Sequence, residues 1–460
     1  MLSQFCRCLS LQKLFLKTDI SFKHINKLAI PALIAGIAEP LLSITDTAII
    51  GNIDENATES LAAVGIVGAF ISMLVWVFGQ IRSAISSIIS QYLGANKLDE
   101  VKTLPAQAIA IVVLGSVLIL MISYPFAKQI FQFYNASGLV LEYCITYFKI
   151  RIFGFPFSLF VFAIFGIFRG LQNTFIPMII AIFGAVLNIV LDYLFVYGYA
   201  DIIPAMNIEG AAYASLIAQI SMAIIAFVYL ISKTSFSLKI NLPFHKEVPR
   251  LLGMIGNLFV RTIALNIALY FATAYATGYG SAYIAAYTIG INIWLLGAFM
   301  IDGYSSAGNI LSGKLLGAKD YKTLIELSKK LTKYGLATGF IITSIGFLFY
   351  NMIGKIFTKE VLVLKEFNYV FWIVLLTIPI SALTFIFDGM FKGMGKMKFL
   401  RNVLLVATGL VFVPTLLFFD WLELQLVAIW IAYTLWILAR GIPLIIKFRQ
   451  EFYPLVKTVN

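Results

Sequence analysis

Two carboxylates, Glu39 and Asp46, lie inside an apolar stretch, residues 30–51, that is long enough to cross a bilayer. A charged side chain near the centre of a membrane helix costs about 2.5–3.5 kcal/mol, so such acids usually face a protein interior or a water-filled path. Their spacing corresponds to about two helical turns, which places both on one face. Pro40 removes a backbone donor between them, and this predicts a bend in the helix.

A second polar group lies in the predicted fifth and sixth spans. Asn188 and Asp192 share one helical face, and Ser215 enters the next span from the opposite direction, at the depth of Asp46. Two poorly hydrated carboxylates that lie close together cannot both stay ionised at low cost. Together with Glu39, the set is predicted to hold one proton or a cation such as Na⁺, which prefers oxygen ligands. The alternative is a structural network in which the neutral side chains only satisfy the acids.

The C-terminal half places its charged residues differently. Arg261 and Asp302 lie about ten residues from the cytoplasmic ends of two consecutive spans, which permits an ion pair between neighbouring antiparallel helices. Asn266 and Asn292 add polar atoms deeper in the membrane. Asp388, near the inner end of a later span, is either a gate-like contact or an ordinary helix-end charge. We expect these residues to line a substrate path or gate, and a purely structural ion pair is an equal alternative.

The composition is that of an integral membrane protein. Of the 460 residues, 61% are hydrophobic and only 12% are charged, whereas soluble domains are about 25% charged. The net charge of +12 comes from basic residues in short loops between apolar spans, which indicates membrane orientation rather than nucleic-acid binding. The three cysteines are too few and too scattered for a disulfide framework or a four-ligand zinc site. We expect a lipid bilayer as the surroundings and no nucleic-acid partner.

Apolar runs of about 20 residues predict an all-α fold with about twelve membrane-spanning helices. The predicted spans are 28–51, 61–82, 104–124, 140–169, 175–198, 209–232, 250–275, 283–311, 331–351, 363–391, 399–419 and 425–446. Alternate loops are rich in Lys and Arg, and the intervening loops carry acidic residues instead. By the positive-inside rule both termini are cytoplasmic, which requires an even number of spans. The expected location is the plasma membrane.

The chain contains an internal repeat. Leu93-Gly94-Ala95 recurs as Leu316-Gly317-Ala318, a shift of 223 residues, and the same shift relates Phe168-x-Gly170 to Phe391-x-Gly393. Six spans of equal orientation in each half indicate a parallel repeat, with the substrate path between the halves. The predicted divisions are a cytoplasmic N-terminal segment (1–27), a six-helix lobe (28–232), an inter-lobe loop (233–249), a second six-helix lobe (250–446) and a cytoplasmic tail (447–460).

Residues 308–315 superficially match a phosphate-binding loop. Leu315 replaces the Ser or Thr that would bind the metal, and no strand precedes the run, so we interpret it as a helix end. His24 and His245 lie in basic loops, and no serine, histidine and acid arrangement stands out. The sequence therefore predicts no nucleotide, no cofactor, no resident metal and no catalytic residue. An ion gradient is the expected energy source.

Several of these segments resemble the multidrug and toxic compound extrusion (MATE) transporters, particularly their DinF-like branch. The likeness covers nearly the whole chain and rests on the first span around Asp46, Gln91-Tyr92-Leu93-Gly94-Ala95, the fifth span around Asn188, and the segments around Arg261 and Asp302. The resemblance implies a V-shaped pair of six-helix lobes that exports organic, often cationic and lipophilic, compounds by antiport with H⁺ or Na⁺. It also implies that Asp46, Asn188 and Asp192 match the family's acid and Asn/Asp positions, and that Ser215 replaces a usual Thr.

The sequence supports the hypothesis of a monomeric secondary antiporter that exports a small organic molecule in exchange for H⁺, with Na⁺ as the alternative ion. Protonation of the Asp46/Asp192 pair would weaken its hold on a cationic or polar substrate and let the first helix bend at Pro40. A lipid-linked oligosaccharide flippase is a rival, but it would need several cationic residues in the cavity, and the sequence points mainly to Arg261. An integral-membrane lipid-modifying enzyme would need clustered catalytic residues, and the chain has only two His.

Overall fold

The computed structural model describes most of the chain. The described residues are 18–53, 56–199, 202–237, 239–240 and 243–457, with only the backbone described at 38–44 and 457. The predicted coupling role of Glu39 and the predicted bend at Pro40 therefore fall outside the described side chains. Across the described residues the chain is helical, apart from an isolated bridge between Tyr199 and Ile203. The predicted all-α fold is confirmed.

Nine helices cover the described part of the first half. They are α1 (Phe22–Ile50), α2 (Ala57–Phe78), α3 (Ile81–Gly94), α4 (Leu104–Ser123), α5 (Ala127–Phe133), α6 (Gly138–Arg151), α7 (Gly154–Gly170), α8 (Phe175–Tyr197) and α9 (Asn207–Lys233). Ser21 starts α1, because its hydroxyl accepts a hydrogen bond from the His24 backbone N–H at 3.2 Å. A short 3₁₀ turn, Leu98–Val101, precedes α4.

Seven helices cover the described part of the second half. They are α10 (Val248–Tyr279), α11 (Ser281–Gly317), α12 (Tyr321–Leu348), α13 (Tyr350–Phe357), α14 (Val361–Gly393), α15 (Met397–Trp421) and α16 (Leu426–Lys457). Asp320 caps α12 by accepting a hydrogen bond from the Thr323 N–H at 3.0 Å. A π-helical turn, Ala407–Phe412, interrupts α15 just before Pro414, where the missing N–H breaks the regular ladder.

The number of membrane spans agrees with the expectation. Among the described helices, ten are long and apolar enough to cross a membrane, and the pair α6 and α7, bent by 45°, would be an eleventh. With 29 residues, α1 is long enough as well. The predicted total of about twelve spans is confirmed. One predicted straight span, 140–169, is instead a broken one that bends between Arg151 and Gly154.

Two large apolar clusters lie mainly in one half each, and a third joins α1 to helices of the second half. The first is built largely from α2 to α9 and includes Phe131, Phe148 and Phe168. The second is centred on aromatic residues of α15 and α16, among them Trp430 and Trp436. Many other apolar side chains face outward, because lipid tails are as apolar as a protein core and no hydrophobic penalty attaches to that exposure.

Two glycines related by the repeat lie where the backbones of the two halves approach closely. A Cβ added to Gly94 in α3 would lie 1.8 Å from the Lys314 carbonyl oxygen, and one added to Gly317 in α11 would lie 1.9 Å from the Gln91 carbonyl oxygen. Gln91 and Lys314 are themselves 223 positions apart. The contact is therefore self-complementary, as a pseudo-two-fold axis between α3 and α11 requires. Only glycine lets the two backbones approach this closely.

Candidate functional site

The structure brings together the four polar residues that the sequence placed at one depth. The Ser215 hydroxyl of α9 donates to Asp46 Oδ2 of α1 at 3.3 Å. In α8, the Asn188 amide donates to Asp192 Oδ2 at 2.7 Å, one helical turn away. All four side chains are buried, and Asp192 has no exposed surface. Helix α1 and the consecutive helices α8 and α9 thus form one polar cluster.

The two carboxyl groups of this cluster face each other. Asp192 lies within hydrogen-bonding reach of Asp46. Oδ1 of each residue is buried and has no hydrogen-bond donor among the described residues. Buried oxygens are normally paired. A proton held between the two carboxyls would give both orphan oxygens a partner.

Arg151 is a member of the cluster that sequence reasoning missed. Its Nη2 lies 3.6 Å from Asp46 Oδ2, and its guanidinium lies over the Tyr147 ring at 5.9 Å. The residue ends α6, immediately before the bend to α7. The signal was an arginine inside an apolar run, but its partner could not be known without the bend that aims the side chain at α1.

Open space adjoins the cluster. A cavity of about 100 Å³ is lined by Arg151, Asn188 and Ser215 together with apolar residues of α2, α7 and α9. The space exceeds the roughly 30 Å³ that one water molecule takes up in the liquid. Water or a small ion in this space can contact Arg151, Asn188 and Ser215, and the last two bond directly to the buried acids Asp192 and Asp46.

In the second half, the structure pairs Arg261 with Asp388 rather than with Asp302. Arg261 Nη2 lies 2.6 Å from Asp388 Oδ1, and Lys392 Nζ lies 3.0 Å from Asp388 Oδ2. Consecutive helices were expected to pair their charges, whereas Arg261 reaches Asp388 of α14, with which it shares the wall of the central cavity. Asp302 lines the same cavity as Arg261, but it makes no ion pair within the described part of the chain.

The two predicted path asparagines bond within their own helices. The Asn266 amide donates to the Thr262 carbonyl at 2.9 Å, and the Asn292 amide donates to the Thr288 carbonyl at 2.8 Å. Asn292 lines a separate lateral cavity beside α13 and α14. Neither residue is among those that line the central cavity.

A central cavity of about 230 Å³ lies between the halves. Its charged lining residues are Arg82, Arg261, Asp302, Asp388, Lys392 and Arg440. The expectation that Arg261 is the main cation of the cavity is wrong, because Arg82, Lys392 and Arg440 line it as well. The other basic residues belong to α3, α14 and α16, which converge on the cavity only in three dimensions.

Two repeated helical halves around a central cavity with charged lining residues are the architecture of a membrane transporter. The chain belongs to the MatE family. The sequence model of that family matches residues 31–194 and 258–417, one segment in each half.

Individual relatives agree with this assignment. The chain is similar to "DNA damage-inducible protein F" of Escherichia coli (strain K12), with 25% identity over 440 residues, 94% of this chain and 93% of that protein. It is also similar to "Multidrug export protein MepA" of Staphylococcus aureus (strain bovine RF122 / ET3-1), with 20% identity over 415 residues and 86% coverage of each. A crystal structure of MATE in the bent conformation superposes with a TM-score of 0.88 at 21% identity, covering 95% of this chain and 96% of that one.

Proposed function

We propose that this protein is an H⁺-coupled antiporter that exports small organic molecules by alternating access. Membership of the family supports transport, and relatives such as "Multidrug export protein MepA" are named for export. The observation that carries the proposal is the buried pair Asp46 and Asp192, in which each carboxyl keeps one oxygen without a donor. A pair of this kind has a place for one exchangeable proton.

Arg151 favours H⁺ over Na⁺ as the coupling ion. Its guanidinium already supplies one positive charge, 3.6 Å from Asp46. A Na⁺ bound between the two carboxylates would be repelled by that guanidinium, and the repulsion is strong where water is scarce. Either ion would bring the cluster to zero net charge, so the difference lies in coordination: Na⁺ needs several oxygen ligands, whereas a proton needs only the facing carboxyl oxygens, and Oδ2 of both acids is already engaged by Ser215, Arg151 and Asn188.

Gain and loss of the proton would bias the equilibrium between two access states. Without the proton the cluster carries a net negative charge, which favours the state in which more water reaches it. At the opposite end of the molecule, the Ser87 hydroxyl and the Gln91 amide both donate to the Gly393 carbonyl, at 2.8 and 2.9 Å. These hydrogen bonds hold the halves together at the predicted cytoplasmic end. Access from that side requires them to break.

The remaining parts of the proposal concern placement. We place the protein in the plasma membrane as a monomer with both termini in the cytoplasm, because the basic loops alternate with acidic ones. Residues 28–232 and 250–446 form the two lobes, and 233–249 joins them. The two larger apolar clusters, each lying mainly within one half, support this division. No cofactor is part of the mechanism.

Transport in proteoliposomes tests the coupling ion. Efflux of one cationic and one anionic fluorescent dye is followed under a pH gradient without Na⁺, and under a Na⁺ gradient at uniform pH. We expect at least one dye to move with the pH gradient and neither to move with the Na⁺ gradient. Asp46→Asn should abolish the pH-driven movement, since the pair then lacks one titrating member.

Asp99→Asn is the matched control, because its side chain is 87% exposed beside Lys102 and far from the cluster. It should transport as the unaltered chain does. Undiminished proton-driven efflux by the Asp46→Asn protein would remove that residue from the mechanism. Efflux driven by Na⁺ alone would assign the other ion.

A lipid-linked oligosaccharide flippase is a second candidate. The observation that favours it is the number of basic side chains in the central cavity, among them Lys392 and Arg440, since a pyrophosphate group binds such residues. Counterflow with a labelled lipid-linked sugar in proteoliposomes distinguishes the two. A flippase would exchange that lipid between leaflets and ignore both dyes.

A further inference from the structure

The described charges of the central cavity do not cancel. Four basic and two acidic side chains line it, which leaves a surplus of two positive charges. A cationic cargo would be repelled by this surplus at short range and low dielectric. The charge of the described lining is therefore opposite to what a cationic compound, one of the cargo classes expected from the sequence, would require.

Asp388 cannot serve as a docking point for a cation. Arg261 binds one of its carboxylate oxygens at 2.6 Å, and Lys392 binds the other at 3.0 Å. Both interactions are buried, and charge-assisted hydrogen bonds of this length are the strong ones. One carboxylate is thus shared by two cations, which leaves one uncompensated positive charge in this group.

Arg440 supplies an unpaired cation at the cavity wall. The residue is only 4% exposed, and its guanidinium stacks on the Trp436 ring at 4.6 Å and faces the Phe385 ring at 5.8 Å. No hydrogen bond or ion pair joins it to another described residue. Stacking fixes the plane of the guanidinium but uses none of its five N–H donors. A buried charge without a counterion is costly unless something else compensates it.

A repeat-related pair adds to the positive charge nearby. Arg169 and Lys392 occupy the same position of the Phe-x-Gly motif in the two halves, 223 residues apart. Both line a smaller cavity of about 60 Å³, together with Arg82 and Asp302. Arg169 is buried, and its Nε has no hydrogen-bond partner among the described residues. Both halves thus place a basic side chain at the middle position of this motif, although their charges differ elsewhere.

The rest of the central cavity is apolar and aromatic. Trp76, Phe162, Trp294, Phe299 and Trp436 form much of its wall. Such a wall favours a flat or bulky hydrocarbon body, and the basic side chains favour an acidic group attached to it.

We propose that the cargo is an amphipathic organic anion, whose acidic group binds at Arg440 and the Arg261/Lys392 pair while its apolar body packs on the aromatic wall. This inference rests on the proposed function for its direction of transport, but the binding site stands on the cavity itself. A carboxylate, sulfonate or phosphate would supply the acceptor oxygens that Arg440 lacks.

Equilibrium binding to the purified full chain in detergent tests the proposal. The probes are naphthalenesulfonate and naphthylmethyl trimethylammonium, which have similar bodies and opposite charge, measured by isothermal titration calorimetry. We expect the sulfonate to bind about tenfold more tightly than the ammonium compound or better. Arg440→Gln should weaken sulfonate binding by about tenfold, and Asp302→Asn should strengthen it by about threefold.

Arg401→Gln is the matched control, since Arg401 bonds to Asn402 at the start of α15 and does not line the cavity. It should bind the sulfonate as the unaltered chain does. Tighter binding of the ammonium compound would overturn the proposal, as would equal effects of Arg440→Gln and Arg401→Gln. If Arg440→Gln does not fold, the Asp302→Asn protein decides, because unchanged or weaker sulfonate binding by a folded protein contradicts the inference.

The source of the anion is distinguished by competition. Dodecyl phosphate represents a lipid headgroup, and naphthalenesulfonate represents a water-soluble anion. If dodecyl phosphate displaces the sulfonate and the displacement depends on Arg440, the site is supported and is assigned to lipid phosphates. If dodecyl phosphate does not displace the sulfonate, the site is assigned to water-soluble anions. Binding needs no gradient, so failure of H⁺ coupling leaves these results intact, and loss of sulfonate binding leaves the Asp46/Asp192 proposal intact.

Discussion

Arg151 and Asp46 form the contact on which the choice of ion depends. The guanidinium lies 3.6 Å from Oδ2 of the carboxylate and stabilises its charged form. Arg151→Gln should therefore make the acid pair bind its proton more readily, so that the midpoint of the transport–pH profile moves to higher pH. The same change removes the charge that repels Na⁺, and a Na⁺ gradient should begin to drive transport.

The profile is measured in proteoliposomes between acidic and alkaline pH, with and without Na⁺. Arg151→Lys keeps the positive charge and should keep both the midpoint and the indifference to Na⁺. An identical profile for the Gln and Lys variants would show that the guanidinium charge has no part in ion selection.

The ion pairs of Asp388 lead to a second prediction for a single residue. It concerns the stability of the protein rather than the coupling ion. Asp388→Asn leaves Arg261 and Lys392 buried without their shared counterion, which should lower the free energy of unfolding by about 3–5 kcal/mol. Thermal unfolding in detergent measures the loss as a fall in Tm. Asp99→Asn, which breaks only an exposed pair with Lys102, should change stability by about 0.5 kcal/mol or less. Equal Tm values for the two variants would contradict the argument.

At the level of the helices, the sequence predicted which segments span the membrane, how many there are and how the two halves repeat. It did not predict which charged residues pair with each other. The apolar runs were sufficient for the spans, because a membrane helix must satisfy its own backbone. The depths of Asp46, Asp192 and Ser215 followed from the topology. The bend after Arg151 and the pairing of Arg261 with Asp388 did not, because both depend on how helices far apart in sequence are arranged around the two cavities.

The contact of α3 with α11 predicts how the cytoplasmic end opens. In Gly317→Ala the new Cβ would lie 1.9 Å from the Gln91 carbonyl oxygen, which is backbone and can yield only if the helices separate. Overpacking costs about 1–3 kcal/mol, so the closed form should lose population by about tenfold. Ser83, which lines the cavity behind this contact, should then become more accessible from the predicted cytoplasmic side.

Labelling of Ser83→Cys by an impermeant maleimide, in a chain whose three cysteines are replaced by serine, measures that accessibility. We expect an approximately tenfold faster reaction when Gly317→Ala is added. Gly65→Ala is the control, since open space surrounds that position in α2. Equal labelling rates for the two alanine variants would mean that the glycine contact does not hold the end closed.

Considered as a whole molecule, the protein combines a symmetric backbone with an asymmetric distribution of charge. The repeat brings Gly94 and Gly317 into equivalent contacts, yet the acid pair Asp46/Asp192 has only Leu269 and Thr415 at the equivalent positions of the other half. The first half thus holds the proton site, and the basic residues of the central cavity come largely from the second. A cargo site and an ion site on different halves can influence each other only through the equilibrium between access states.

This separation predicts that transport is electrogenic. When a monovalent anion leaves and one proton enters, two positive charges move inward, and a membrane potential of 100 mV contributes about 4.6 kcal/mol to each cycle. Exchange of a monovalent cation for a proton would move no net charge. In proteoliposomes without a pH gradient, a K⁺ diffusion potential set with valinomycin should therefore accelerate naphthalenesulfonate movement toward the positive side. The Asp46→Asn protein, which lacks the proton partner, should not respond in this way, and a rate that is the same at zero and at 100 mV in the unaltered chain would exclude the exchange of an anion for a proton.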